Sequence, residues 1–558
     1  NIITADRNHP CVVIYSMTSE LDINLENPAQ YHWFCHTLPQ LARRLNPAAL
    51  LFDVTAGFCR SNATRHGPRE TDLLEDVLEN SHSFTPLSGR INVPDEVAKP
   101  FFLHEWNWTT SLPNPDIISR YENLPLVPVQ VPEMVETAKA RGLLDELAAM
   151  YEASRRLKHV LRKDALEQAY AHPKVAGYHH WLIHDVAYCP EGVFNEFWDD
   201  PSDVLPAEFR TYNDDTVLVI EDGDRRDFFY EQPVPIGLKI AHFGAQSLHN
   251  ATVRWRLMRG DIAVSEGSQE VGPVACGQRL DIEPLGLKPL QGQAAAALEL
   301  VCELWEGTSK LAWNHWTLWF FPRLEGLKYS SRVVATQPLP AALGVFRKPY
   351  DPLAPPGHTR VFVTHRLDDC GGEPIAGVFN WLNEGGRVRL LSNGVLQEAF
   401  TNMYRTVPYN MGTTGNMGTV IHAHPALGDF PHEGWCDVAF VPLIQGAYPM
   451  RLDPFRPQRI KPIIRSNGHQ VTMDDKAYLF EVGVGKGVLL ACSLNLQPHC
   501  HVYPAARHLL HCLMQYLAEG DCVPAASITT DQLKAAMRTT PPVSSTASSH
   551  AHPTDHSR

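Results

Sequence analysis

Two glutamates are the residues best placed to do chemistry, because each closes an apolar, strand-like run: Cys11-Val-Val-Ile-Tyr-Ser-Met-Thr-Ser-Glu20 and Pro100-Phe-Phe-Leu-His-Glu105. One carboxyl that protonates a leaving oxygen, and a second roughly 5 Å away that attacks an acetal carbon, suffice to cleave that acetal with retention. Buried runs of five or six β-rich apolar residues read as core strands, and in a (β/α)8 barrel the reactive groups project from strand C-termini. Taken singly, either glutamate also fits a strand end that merely meets solvent.

The residues around them narrow the choice. Asp6-Arg7-Asn8-His9-Pro10 running through Ser16-Met17-Thr18-Ser19-Glu20 resembles the fourth-strand signature of glycoside hydrolase family 2, the β-galactosidase and β-glucuronidase family. Lys99-Pro100-Phe101-Phe102-Leu103-His104-Glu105-Trp106 is similar to its seventh-strand segment. Ala49 to Asp53 resembles strand five, Asp76 to Phe84 strand six and Gly177 to Asp185 strand eight, while Asn195-Glu196-Phe197-Trp198-Asp199 resembles a closing segment of the β-galactosidase-like branch. The resemblance covers roughly residues 1–200. It implies a retaining exo-β-glycosidase, β-galactoside favoured, with Glu20 as acid/base and Glu105 as nucleophile. Trp181 would be the platform under the sugar. His82, His104, Trp106 and Asp185 would be sugar contacts, the two histidines serving alternatively to orient Glu105.

Two departures carry consequences. The family sets an Asn before the acid/base and uses it on the sugar 2-hydroxyl; here that residue is Ser19, with a shorter side chain and one donor instead of two. The contact is lost, made through water or taken over by another residue. The chain also begins at the helix leading into strand four and offers no candidates for strands one to three, so it is expected to be part of a longer protein. A non-catalytic carbohydrate-binding or assembly protein descended from a glycosidase is the alternative.

Three textures imply a multidomain α/β and β chain. Residues 1–205 read as strands 4–8 of a partial (β/α)8 TIM barrel, with a helical stretch from Val131 to His172 broken near Gly142 and expected in the outer ring. Residues 206–325 carry short alternating runs, such as Thr252-Val-Arg-Trp-Arg-Leu257, that suit an immunoglobulin-like β-sandwich. A linker over 326–357 leads to strands and helices alternating over 358–522, a doubly wound α/β domain of flavodoxin- or amidotransferase-like kind, structural or forming a homo-oligomer. Gly483-Val-Gly-Lys-Gly487 lacks the spacing of a phosphate loop and reads as a hairpin turn. Residues 523–558 are expected as a disordered tail, Pro-, Ser-, Thr- and His-rich from about Thr539.

Composition excludes other classes. The 558 residues carry a formal charge of −14, with no basic, aromatic-interleaved patch, which argues against nucleic acid as a partner. No apolar run reaches about 18 residues, so no membrane span is expected. The 12 cysteines form no CxxC pairs and read as free thiols, many of them buried. No cofactor is required, Mg2+ or Na+ being permitted only by the resemblance, and localisation is left open by the sequence.

Overall fold

The computed structural model of the protein describes residues 2–19, 29, 32–55, 74–76, 91, 93, 99–106, 109–126, 128, 130–180, 182–186, 190–198, 205–221, 225–324, 332–335, 359–364, 376–391, 396, 419–466 and 472–539. Its first part holds five parallel strands in chain order. β1 (Ile14–Ser19) pairs with β2 (Leu50–Thr55), and β3 (Leu74–Asp76), β4 (Phe101–Trp106) and β5 (Val175–His180) form a second sheet. Parallel neighbours need a crossover. The helix Leu38–Leu45 supplies it between β1 and β2, and the helices Gln130–Arg141 and Leu147–Ala171 lie between β4 and β5. These strands are the half-barrel part of a mixed α/β fold.

The helix Leu147–Ala171 positions the strands. Ala165, Leu166 and Ala169 pack with Phe101, Leu103 and Val175, so the end of this helix covers the outer face of β4 and β5. Its first half, from Leu147 to Leu161, enters a different core, shared with the C-terminal domain. One helix thereby braces both.

The second part is a two-layer β structure. β6 (Thr216–Ile220), β8 (Val234–His242) and β11 (Gln278–Leu287) make one sheet, in the order β11-β8-β6. β7 (Asp227–Phe229), β9 (Leu248–Arg259), β10 (Ile262–Val274), β12 (Ala296–Glu306) and β13 (Ser309–Phe321) make the other, in the order β10-β9-β12-β13-β7. Leu238 and Ile240 of one sheet and Val253, Leu257, Leu300 and Trp316 of the other share a core. Along β9 the expected alternation is explicit: Val253, Trp255 and Leu257 are buried while Arg254 and Arg256 are exposed. β10 escapes the sequence pattern because it is a polar edge strand with little burial.

The third sheet contains β14 (Arg332–Ala335), β15 (Thr359–Thr364), β16 (Arg387–Leu391), β17 (Thr419–Ile421), β18 (Met450–Arg451), β19 (Ile464–Ser466), β20 (Lys476–Val484), β21 (Gly487–Cys492) and β22 (Ser527–Ile528). Its order is β14-β15-β16-β21-β20-β19-β17, with β18 and β22 also on β20. The pairs from β14 to β21 are parallel, as a doubly wound domain requires, but β21-β20-β19-β17 is antiparallel. The reason is local: Gly485-Lys486 joins β20 to β21 as a tight hairpin, and a hairpin can only reverse the chain. Two expected boundaries move. β14 lies within the expected linker, and Ile528, Leu533 and Ala536, expected in the tail, are buried in the core of this sheet. Residues after 539 lie outside the described ones.

Candidate active site at the half-barrel strand ends

Ser19 ends β1 opposite Thr55, and Glu105 is the penultimate residue of β4. Both therefore stand at the C-terminal ends of parallel strands. Glu20, His82 and Trp181 lie outside the described residues, as do the side chains of Ser19 and Glu105.

The face of β4 away from the helix is aromatic. Phe102 meets Phe52 of β2 edge-on at 5.2 Å between ring centroids, His179 of β5 lies 6.0 Å from Phe102, and His104 lies 6.2 Å from His179. His104, itself buried, is thus brought to the strand end that carries Glu105, in a ring cluster that joins both parallel sheets and includes the exposed His179. Gly177 makes this possible: a Cβ there would lie 2.5 Å from Cε1 of Phe102. The ring occupies the space of the missing side chain.

Trp106 departs from expectation. Leu103 faces Tyr178 while Trp106 faces His180, so β4 carries one extra residue across His104-Glu105, a bulge of the kind that re-aims side chains near active sites. Trp106 is left in the same buried cluster as Phe101 and Leu103, 1% exposed, its indole N–H donated to Ala165 O at 2.7 Å. Instead of a sugar contact it is a buttress between strand and helix.

Asp185 is buried and likewise committed to the backbone. Its Oδ1 accepts the Gly192 N–H at 2.6 Å, with Lys158 Nζ 3.7 Å away. Lys158 donates to Pro190 O and Gly192 O, and Arg162 to Glu191 O and Gly192 O, at 3.0–3.2 Å. Two buried cations on the long helix thus clamp the loop after β5. Their sequence signal was two basic residues four apart, each one position after an apolar stripe residue, Leu157 and Leu161.

Among the described residues, one group has donor atoms close enough to share a cation: Asp429, His508 and Cys512, in the C-terminal domain. Its nitrogen and sulfur do not suit Mg2+ or Na+, which prefer oxygen. No helix among the described residues is long and apolar enough to cross a membrane. Cys302, Cys436 and Cys492 are buried free thiols, whereas Cys11, expected in the core, is exposed.

Two family models match, each described as a domain of unknown function: DUF8488 over residues 233–322, within the two-layer β part, and DUF8487 over residues 375–538, within the C-terminal domain. No curated protein matches the chain. Similar solved structures are glycoside hydrolases at low identity and TM-score. The exo-chitosanase CsxA of Amycolatopsis orientalis is 10% identical with a TM-score of 0.32, the match covering 56% of this chain and 38% of that one. A β-glucuronidase of Bacteroides uniformis is 13% identical with a TM-score of 0.24, covering 59% and 38%. The chain thus spans under two fifths of the length of these structures.

Proposed function

We propose that the protein is a retaining exo-β-glycosidase acting on terminal β-linked sugars, β-galactosides favoured, through a (β/α)8 barrel of family 2 type followed by an immunoglobulin-like module. Glu20 protonates the glycosidic oxygen as its bond to the anomeric carbon breaks. Glu105 attacks that carbon to form a glycosyl ester, and water activated by Glu20 then hydrolyses the ester. Ser19, His82, His104 and Trp181 line the sugar, while Trp106 and Asp185 act through the backbone segments that they hold.

The supporting observation is that the two segments carrying the family signatures end parallel strands, β1 in a two-stranded and β4 in a three-stranded sheet, each of which follows chain order. The test is hydrolysis of a panel of nitrophenyl β-glycosides by the native-length protein and its Glu105→Gln and Glu20→Gln variants. Collapse of the rate in Glu105→Gln, with Glu20→Gln partly sparing activated leaving groups, is the expected outcome and identifies the sugar. No turnover on any glycoside would favour the carbohydrate-binding alternative.

A further inference from the structure

On the helix Pro504–Glu519, His508 and Cys512 stand four residues apart and so share a face. Opposite them is Asp429, in the segment between β17 and β18. One donor atom from each of the three lies within 4.8 Å of the others, with Asp429 Oδ1 2.7 Å from His508 Nε2 and 3.9 Å from Cys512 Sγ. Gly428 allows this approach: its φ is +57°, and a Cβ there would lie 3.0 Å from Cys512 Sγ. Asp429 Oδ2 is already occupied by the Ala295 N–H at 3.0 Å, which leaves Oδ1 directed at the imidazole and the thiol.

We propose that Asp429, His508 and Cys512 form a three-ligand site for a zinc-class divalent cation, with its remaining position open to solvent. The donor set is one carboxylate oxygen, one imidazole nitrogen and one sulfur, the mixture that selects zinc over hard cations. Burial differs across the group in the required sense. His508 and Cys512 are buried in the domain, whereas Asp429 is exposed and provides the route of entry. On binding, the Cys512 thiol gives its proton to solvent and coordinates as thiolate. Because Asp429 also holds Ala295 at the start of β12, an ion here would fasten the C-terminal helix to the β part. The site is independent of the barrel chemistry.

The test is titration of the metal-free, native-length protein with Co2+ as a spectroscopic substitute, then with Zn2+ in competition. One equivalent should give a thiolate-to-metal charge-transfer band, which the histidines of the C-terminal segment cannot produce. Cys512→Ser should abolish the band, and Asp429→Asn, at the solvent edge, should weaken binding at least tenfold with the fold intact. X-ray absorption on the Zn2+-loaded wild type covers the case in which Cys512→Ser fails to fold: one sulfur at about 2.3 Å is expected. Absence of the band, its persistence in Cys512→Ser, or a shell of nitrogen and oxygen alone would overturn the proposal.

Discussion

Glu146 and Arg465 meet with Oε2 2.5 Å from Nε, joining the start of the long helix to β19 of the C-terminal sheet. Arg465 also binds Asp475 at 2.6 Å, and His422 lies 3.1 Å from Glu146. Burial opposes the charge on Glu146, but hydrogen bonds from His422 and Arg465 prevail and hold its carboxyl at about 2. Removing one partner of a buried pair costs about 3 kcal/mol. Glu146→Gln is therefore expected to destabilise by that order in chemical denaturation. Since the folded pKa lies below the unfolded 4.5, the Glu146 contribution is present above pH 4.5 and is lost as pH falls toward 2, a loss that Glu146→Gln should remove.

His315 works in the opposite direction. Burial disfavours its charged form, but Glu208 and Glu299, at 2.9 and 2.7 Å, raise it to about 9. The folded pKa is above the unfolded 6.5, so this stabilisation is full below pH 6.5 and fades as pH rises to about 9. Unfolding free energy should decline across that window, and His315→Gln should flatten the decline.

Gly177→Ala would drive a Cβ into the Phe102 ring. Overpacking of this kind costs about 1–3 kcal/mol. Phe102→Leu in the same chain should recover part of the loss, and a double-mutant cycle read by denaturation would show no coupling if the two residues do not meet.

Trp106→Phe removes the hydrogen bond to Ala165 O and keeps most of the apolar volume. A loss of about 0.5–1.5 kcal/mol is expected from the hydrogen bond removed, since Ala165 O keeps its place in the helical ladder. If glycoside hydrolysis is detected, KM should stay unchanged. A raised KM at constant stability would return Trp106 to the sugar site.

The organisation into parallel strands, two-layer β part and C-terminal α/β domain was legible because hydrophobic periodicity is local. Thr216 to Ile220 announces a strand by its continuous β-rich apolar run and Asn314 to Phe320 by alternation, and Met134, Leu147, Leu157 and Leu161 announce helix by their spacing. Glu105 at the end of an apolar run was legible for the same reason. The sense of β20 and β21 was not, although their turn was, because strand direction depends on which neighbour pairs.

What the sequence by itself determined was therefore the residues at the strand ends and the element type that carries them. Only the tertiary structure decided which side of β4 each residue serves. A one-residue bulge moved Trp106 from the expected mouth to the helix, and a bulge is a property of two strands in register. Lys158 and Arg162 became clamps of the loop after β5, and Asp429 met His508 and Cys512 across about 80 residues of chain, since contacts that depend on chain closure leave no periodic trace in either segment.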